Sequence, residues 1–361
     1  MPRQEVKIRR EGKMHYNEMG RTGVKVSNLC LGTMTFGTQT SEAEGHAQMD
    51  FALSNGINFV DTAEMYPVNP ISAETIGRTE EILGTWNAKN PSKRGDYILA
   101  TKHSGEGMAD VRDGAPISSK TIAQTIEGNL RRLQTDYIDL YQFHWPNRGS
   151  YMFRKNWDYG PKGLRADAVR ADMLDCLEAL QSQVEKGNIR YFGLSNESAW
   201  GTSQWLRLSE DHGLPRVATI QNEYSLLCRL YDTDLGELSV AEDVGLIAFS
   251  PLAVGLLTGK YQNGAVPEGS RKSIGADLGG RVTERVWPAV DAYLEIARKY
   301  GLDPIHMALA WCVTRPFMCS AIFGATTQSQ LENILKASDV KLSQECLEDI
   351  SRAHKAHPMP Y

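Results

Sequence analysis

The chain has 361 residues, of which 41% are hydrophobic and 23% are charged, so its length suits one large barrel or two ordinary domains. A net charge of -5 gives no reason to expect a nucleic acid partner. No apolar run approaches the ~18 residues of a membrane span. Residues 1–5 are charged and lack an apolar signal region, and the six scattered cysteines form no Cys-x-x-Cys pair. We therefore expect a cytoplasmic protein with free thiols.

Short apolar runs alternate with longer helical patterns along the chain. The runs have the length of buried strands and lie at residues 29–31, 58–61, 97–101, 137–142, 191–194, 217–221, 246–249 and 321–323. A capping box at Ser41 and Glu44 opens the first helical pattern. The other helical patterns cover about 72–89, 118–134, 168–187, 198–212, 233–243, 284–300, 305–315 and 327–337.

Eight strand–helix repeats predict an α/β fold in which parallel strands close into a (β/α)8 TIM barrel. We expect a single domain over 1–361, with a barrel core at about 29–340 and an N-terminal β-hairpin that turns at 19–23. A doubly wound sheet is the alternative, but it would more naturally carry a Gly-x-Gly-x-x-Gly loop, which is missing. The long stretches 147–165 and 251–280 are predicted to be functional loops on the C-terminal face.

Three polar residues end successive strand runs, namely Asp61, Lys102 and His144, and Tyr66 follows Asp61 by five residues. In a barrel these strands are neighbours, so the four side chains should converge on the C-terminal rim. Carbonyl reduction is a reaction that needs such a set. A hydride reaches the carbon, charge develops on the oxygen, and a proton donor must meet that oxygen.

Each of the four residues has a role in this hypothesis. Free tyrosine has a pKa of about 10, and a nearby Lys102 ammonium is expected to lower the pKa of Tyr66. Asp61 would keep the lysine charged and oriented, and His144 would set the angle of the substrate oxygen. The alternative is that each is an ordinary polar or packing residue, but joint placement at neighbouring strand ends favours a site.

Several motifs have a specific combination of residues. They are Gly-Thr-Met-Thr-Phe-Gly at 32–37, Asp-Thr-Ala-Glu-Met-Tyr at 61–66, Leu-Tyr-Gln-Phe-His-Trp-Pro at 140–146, Gly-Leu-Ser-Asn at 193–196, Gln-Asn-Glu-Tyr-Ser at 221–225, Ser-Pro-Leu-Ala at 250–253 and Gly-Ala-Thr-Thr at 324–327. Together they resemble the aldo-keto reductase superfamily over about residues 15 to 350. The resemblance is strongest to its bacterial Tas-like branch, near the potassium-channel β-subunit relatives.

The resemblance implies a tetrad with Tyr66 as general acid/base, an aldehyde or ketone substrate near Tyr66, His144 and Trp145, and NADP(H) as cofactor, with NADPH preferred and NADH possible. The residues that it implies at the cofactor are Thr33, Met34, Asp61, Ser195, Asn196, Gln221, Tyr224, Ser250, Pro251, Leu252, Ala253, Gly255, Lys260, Arg271, Gly324, Thr326, Gln330 and Asn333. No metal is implied.

Within that set, the resemblance implies that Ser195, Asn196 and Gln221 hold the nicotinamide amide, and that Tyr224 stacks on the nicotinamide ring. An ordinary buried aromatic is the alternative for Tyr224. The pyrophosphate would meet Ser250, Leu252 and Gly255.

Lys260 and Arg271 match positions that contact cofactor phosphates in the superfamily, and a basic residue near the 2′-phosphate favours NADP. A solvated basic loop is the alternative for this pair. At the adenosine end, Gly324, Thr326 and Gln330 match the superfamily. The superfamily usually has an Asn, preceded by Glu, four residues after this Gln. Here that position is Ile334, and Asn333 stands one residue earlier.

Two other functions are compatible with parts of the sequence. A regulatory NADP(H)-binding module with little turnover is one, but the channel-subunit relatives have Asn where this chain has His144. A metal-dependent barrel hydrolase is the other, but the eight histidines do not form a ligand set. The sequence leaves an oligomer open.

Overall fold

The computed structural model describes residues 14–361, so residues 1–5, on which the expectation about secretion rests, lie outside the described part. Two short strands, β1 (Tyr16–Glu18) and β2 (Lys25–Ser27), form the predicted antiparallel hairpin. The barrel strands are β3 (Leu29–Gly32), β4 (Phe59–Asp61), β5 (Ile98–His103), β6 (Ile138–Phe143), β7 (Ile189–Ser195), β8 (Val217–Glu223), β9 (Gly245–Phe249) and β10 (Met318–Phe323). They pair in parallel and close in the order β10-β3-β4-β5-β6-β7-β8-β9. The predicted (β/α)8 barrel is confirmed.

Helices surround the barrel. They are α1 (Glu42–Ser54), α2 (Arg78–Lys89), α3 (Ser119–Leu133), α4 (Ala166–Glu185), α5 (Ala199–His212), α6 (Asp234–Glu242), α7 (Arg271–Ile274), α8 (Val286–Lys299), α9 (Pro304–Val313), α10 (Gln328–Leu335) and α11 (Gln344–Ala356). Ser41 and Glu44 form the expected capping box of α1. The helix predicted at 72–89 begins only at Arg78. Gly77, just before it, has a left-handed φ of 85°, which keeps the helix from extending further towards the N-terminus. The helices α7 and α11 were not predicted.

Side chains on the barrel strands alternate between the interior and the helical layer, as the two-residue period of a strand requires. Phe59, Ile98 and Leu140 form an interior apolar cluster, whereas Val60 and Leu99 pack in the larger core that contains the helices. Nearer their C-terminal ends, β4, β5 and β6 carry the polar side chains of Asp61, Lys102 and Gln142. The barrel interior is therefore apolar at its base and polar at its C-terminal end.

The N-terminal hairpin closes the apolar base of the barrel. Met19 and Val26 are fully buried in the same cluster as the interior apolar residues. Asn17 donates from Nδ2 to the Met318 and Cys319 carbonyls at 3.3 and 3.0 Å, which joins the hairpin to β10. Solvent and ligands therefore reach the interior from the opposite, C-terminal end.

The two long loops leave the C-terminal ends of β6 and β9, as the parallel order requires. Between residues 14 and 361, the helices include none that is both long and apolar enough to cross a membrane.

Candidate active site

The carboxylate of Asp61, at the end of β4, is the centre of a polar network inside the barrel. One oxygen accepts a hydrogen bond from Lys102 Nζ at 2.5 Å. The other accepts from Gln221 Nε2 at 2.8 Å and from Gln142 Nε2 at 3.2 Å. Lys102 Nζ also donates to the carbonyl of Thr62 at 2.7 Å. Strands β4, β5, β6 and β8 each supply a member of this network, so the rim is cross-linked by side chains.

Lys102 is fully buried, and its charge depends on Asp61. Burial alone would lower the pKa of the lysine, because an ammonium group loses its hydration inside the protein. The charge of Asp61, the neighbouring Tyr66 and the hydrogen bond of Asp61 act in the opposite direction, and the net result is a raised pKa. The site therefore contains a permanent positive charge at neutral pH.

Tyr66, in the loop after β4, lies against this charge. Lys102 Nζ is 5.0 Å from the centroid of the tyrosine ring. Burial raises the pKa of Tyr66, and the opposing charge of Lys102 does not cancel the rise. Lys102 does lower the pKa of Tyr66, as expected, but burial raises that pKa by more, so the net pKa lies above its ordinary value. Tyr66 consequently keeps its proton at neutral pH.

His144, just beyond β6, completes the group of four that the sequence singled out. Its ring centroid lies 5.9 Å from that of Tyr66, with an interplanar angle of 75°. Burial and then the charge of Lys102 hold the pKa of His144 well below its ordinary value, so the imidazole is neutral. Its Nδ1 atom is buried and has no hydrogen-bond partner among residues 14–361. The Trp145 ring packs beside the imidazole, with a distance of 5.0 Å between the ring centroids.

A buried acid that the sequence reasoning missed fixes the loop that carries Tyr66. Glu64 accepts a hydrogen bond from the Ser104 backbone N–H at 2.6 Å and forms an ion pair with Arg112. Its own backbone N–H donates to the Lys102 carbonyl at 3.2 Å. These contacts tie the loop between Asp61 and Tyr66 to the end of β5. The presence of Glu64 within the motif at 61–66 could have indicated this role from the sequence.

Two further predicted residues surround the same rim. Ser195 Oγ donates to the Gln221 carbonyl at 2.8 Å, and Asn196 Nδ2 donates to the His144 carbonyl at 2.8 Å. Asn196 adopts a left-handed φ of 52°. Its Oδ1 atom is buried and, within the described part of the chain, accepts no hydrogen bond. The rim therefore offers a buried acceptor beside His144.

The connection after β9 contains the predicted phosphate-binding residues. Ser250, Ala253, Val254 and Gly255 all have positive φ values, between 47° and 95°. A Cβ atom on Gly255 would come within 3.2 Å of Lys260 Nζ, so the glycine makes room for the lysine. The adjacent predicted positions Pro251 and Leu252 lie in the same turn.

Arg271, further along this connection, is a cation with no counter-ion among residues 14–361. Its guanidinium group makes no ion pair or hydrogen bond with any of the residues that the structure describes. Burial and then the charge of Arg281 lower the pKa of Arg271. An anionic group bound here would relieve both unfavourable effects.

The predicted adenosine end lies at the start of α10. Gln330 Oε1 accepts from the Thr326 backbone N–H at 2.9 Å, while Gly324 is exposed. Asn333 is turned to α9 instead, with its Oδ1 atom 3.1 Å from His306 Nε2. Ile334 is buried in the core. Asn333 is therefore not brought to this end of the site.

Two predicted residues, Thr33 and Met34, lie in the turn after β3. Thr33 is buried and donates from Oγ1 to the Asp61 carbonyl at 2.8 Å, and Met34 is partly exposed. Both follow the strand that precedes β4 in the barrel. In residues 14–361 no group of three or more His, Cys, Asp or Glu side chains is arranged to hold a metal ion.

Comparison with known proteins agrees with this geometry. Residues 28–355 match the model of the Aldo/keto reductase family. The chain belongs to the aldo/keto reductase family. It is 43% identical to protein Tas of Escherichia coli over 353 residues, covering 96% of this chain and 99% of Tas. It is 35% identical to the uncharacterized oxidoreductase YrpG of Bacillus subtilis, over 92% of this chain and 94% of YrpG.

A third relative is named as a channel subunit and not as an oxidoreductase. The chain is 31% identical to a probable voltage-gated potassium channel subunit beta of Arabidopsis thaliana, over 91% of this chain and 92% of the relative. The resemblance to the superfamily and to these branches is confirmed. Members of the family are generally NADP-dependent oxidoreductases that act on small carbonyl compounds, so this aldo-keto reductase is an oxidoreductase by family.

Tyr224 does not lie where a nicotinamide-stacking residue should. Its ring is fully buried, stacks on Trp311 at 5.3 Å, and meets Phe317 edge-on at 5.6 Å. Its hydroxyl donates to Asp232 at 2.5 Å. Tyr224 is three positions after Gln221, whose amide binds inside the barrel, and an odd offset along a strand points to the other face. The ring belongs to the outer core of this aldo-keto reductase.

Phe249 is an aromatic residue at the rim that the sequence reasoning missed. It ends β9, packs with the interior cluster that contains Ile247, and is partly exposed. Its even offset from Ile247 gives it the interior face of the strand. The alternation of side chains along a strand could therefore have indicated Phe249, and not Tyr224, as the aromatic residue at the interior rim.

Replacing His144 with Asn should make this protein less sensitive to acid unfolding. The unfolded chain binds a proton on His144 below about pH 6.5, whereas the folded chain does not, because its pKa is held far lower. Stability from the neutral ring is therefore lost as pH falls, at up to about 1.4 kcal/mol per pH unit. Urea unfolding on both sides of that pH should show a smaller loss in the variant. Equal losses would contradict a buried neutral imidazole.

Proposed function

We propose that this aldo-keto reductase reduces aldehyde or ketone carbonyls to alcohols with NADPH, and that Tyr66 is the proton donor. The observation that carries the proposal is the buried Lys102 ammonium, held by Asp61 at 2.5 Å and lying 5.0 Å from the Tyr66 ring. A buried cation beside a protonated phenol is suited to a reaction in which that phenol loses its proton.

Each of the four residues has its own role in this proposal. When bound, NADPH supplies the hydride for the carbonyl carbon. Tyr66, kept protonated by burial, donates its proton to the oxygen, and the Lys102 charge stabilises the phenolate that results. The neutral imidazole of His144 hydrogen-bonds the same oxygen and orients it, while Asp61 keeps Lys102 charged and in place.

The residues of the rim fit NADP(H). Asn196 Oδ1, which accepts no hydrogen bond from residues 14–361, can accept from the carboxamide NH₂ of a nicotinamide, with Ser195 and Gln221 as neighbours. Phe249 offers an aromatic face at the interior rim, and we propose it for the role that the sequence gave to Tyr224. The nicotinamide end would then lie beside His144.

Cations on the connection after β9 are suited to the phosphates of the cofactor. Arg271 has no counter-ion within residues 14–361, and Lys260 is folded against Gly255. We propose that both bind cofactor phosphates, with the turn at Ser250 to Gly255 beside the pyrophosphate and Thr326 and Gln330 near the adenosine. Each anionic oxygen would replace a missing partner of a basic side chain.

The substrate cavity would be bounded by aromatic residues. Trp145 packs on His144 at 5.0 Å, and Phe153 meets Trp145 edge-on at 6.4 Å. Phe153 belongs to the long loop after β6 and is 39% exposed, so part of this apolar wall is available to a ligand. The proposed substrate is therefore a small carbonyl compound with an apolar or ring-bearing side.

A regulatory NADP(H)-binding module is the second candidate, because one relative is named as a probable potassium channel subunit. Such a module would need the cofactor site but not the proton donor. The complete set of Tyr66, Lys102, His144 and Asp61 favours turnover.

Replacing Tyr66 with Phe should lower the rate of NADPH oxidation with a reactive aldehyde by roughly 10²–10⁴-fold, because the proton donor is lost. NADPH binding, followed by fluorescence titration, should change little. Tyr300→Phe is the matched control, since its hydroxyl binds Asp349 away from the site and its loss should leave the rate unchanged. Wild-type turnover in Tyr66→Phe would show that Tyr66 is not the acid.

Replacing Arg271 with Ala should weaken NADPH binding by roughly tenfold or more and NADH binding much less, because a charged hydrogen bond to the 2′-phosphate is lost. Lys272→Ala is the control for a change of net charge, since Lys272 follows Arg271 directly and contacts the Ala265 carbonyl. Dissociation constants for both nucleotides measure the effect. Equal losses for NADPH and NADH would contradict a role at the 2′-phosphate.

A further inference from the structure

A cavity lies between the helical layer and the barrel wall, on the outer side of strands β6 and β7. Phe143 and Leu194 line it from the strands, Val169 and Met173 line it from α4, and Trp205 lines it from α5. Its volume is about 480 Å³, with its open mouth included, which is within the range of small-molecule sites. We call it the α4–α5 cavity.

The strands themselves separate the α4–α5 cavity from the interior of the barrel. Gln142, which binds Asp61, points inwards, so its neighbour Phe143 points outwards. Phe143 and Leu194 accordingly pack in the larger core that contains the helices, and not in the interior cluster. A molecule in this cavity therefore lies behind the wall that leads to His144, outside the proposed cofactor and substrate sites.

One hydrogen-bond donor on the wall of the cavity lacks an acceptor. Trp205 is 6% exposed, and its buried Nε1–H has no hydrogen-bond partner among residues 14–361. Buried donors are normally satisfied, because an unpaired one has lost its hydration without compensation. The thiol of Cys176, also on the wall, already contacts the Ile117 carbonyl at 3.8 Å. An oxygen atom of a bound molecule would supply the acceptor that Trp205 lacks.

The charged groups at the cavity favour an uncharged molecule. Arg148 Nη1 donates to Glu197 Oε2 at 3.0 Å, and a second hydrogen bond joins the same two side chains, so their charges offset each other. Asp172 lies at the exposed edge of the cavity and adds a negative charge, which disfavours an anion. The rest of the wall is largely apolar, and burying a cation against it without a buried anion would be costly.

We propose that the α4–α5 cavity binds a small uncharged molecule, about one ring in size, whose oxygen accepts a hydrogen bond from Trp205 Nε1. The same molecule contacts Ser195, which lines the cavity and also donates to the Gln221 carbonyl at the rim. It thereby restrains the segments that carry His144 and Asn196, and it acts as an effector of NADP(H) binding and not as a substrate. The binding is independent of the proposed function, whereas the effector role rests on it.

4-Fluoroanisole is a suitable probe, since it has one ring, one ether oxygen and no carbonyl group that could be reduced. Its affinity is measured by ¹⁹F NMR titration and compared with that of 1-ethyl-4-fluorobenzene, which has a similar shape without the oxygen. Trp205→Phe removes the indole N–H and keeps an aromatic ring, so it should weaken 4-fluoroanisole binding roughly fivefold and change the hydrocarbon little. Equal changes for both probes, or no binding of 4-fluoroanisole to wild type, would overturn the proposal.

Trp86→Phe is the matched control. Trp86 is a buried tryptophan of α2 whose Nε1 also has no hydrogen-bond partner in the described part of the chain, but it does not line this cavity. This variant should leave the affinities of both probes unchanged. A loss equal to that in Trp205→Phe would mean a general effect of removing a buried indole and would overturn the proposal.

Val169→Phe is an independent second variant, useful if Trp205→Phe does not fold. Val169 lines the cavity and is only half-buried, so a larger side chain should occupy part of the space and weaken both probes by roughly tenfold or more. Unchanged affinities would place the probes elsewhere on the molecule and would overturn the proposal.

The effector role is tested by titrating 4-fluoroanisole with and without saturating NADPH. Coupling between two sites is reciprocal, and both molecules restrain the same segments, so the probe should bind roughly threefold more tightly to the NADPH complex. Equal affinities would overturn the effector role. Absence of NADPH binding to wild type would instead contradict the proposed function on which that role rests.

Discussion

The rest of the site depends on the pairing of the Asp61 carboxylate with the Lys102 ammonium inside the barrel. A lysine that is fully buried would lose its charge without an anionic partner. Asp61 supplies that partner at 2.5 Å and also accepts hydrogen bonds from Gln142 and Gln221. Tyr66 lies against the resulting positive charge, which also acts together with burial to keep His144 neutral.

The interior of the barrel changes along its axis from apolar at the base to polar at the C-terminal end, where this pair lies. The hairpin buries Met19 and Val26 in the apolar base, which leaves the C-terminal end as the approach to the interior. Above the base, polar side chains bind each other, and Glu64 attaches the Tyr66 loop to the segment after β5 through the Ser104 backbone N–H. The fold thus gives the buried Lys102 charge an anionic partner, Asp61, and a carbonyl acceptor, Thr62, and a buried charge is tolerated only when it is paired and hydrogen-bonded.

The strands, and the convergence of Asp61, Tyr66, Lys102 and His144 at one rim, could be predicted because both depend on local period and on which residue ends each strand. Tyr224 was misplaced because a motif gives neighbours along the chain, whereas the parity of positions along a strand decides the face. Asn333 was misplaced because its partner His306 belongs to another helix. The contacts of Glu223 with Arg281, Arg154 and Tyr361 span 58, 69 and 138 positions, and no pattern in a single sequence pairs residues so distant.

The pH dependence of carbonyl reduction by Asp61→Asn tests the dependence of the site on this pair most directly. Without the carboxylate, burial should lower the pKa of Lys102, so the variant should lose its remaining kcat/KM as pH rises from about 6 to 9, while wild type changes little. An uncharged lysine cannot stabilise the phenolate of Tyr66. Profiles of the same shape in both proteins would contradict the claim that Asp61 maintains the charge on which the site depends.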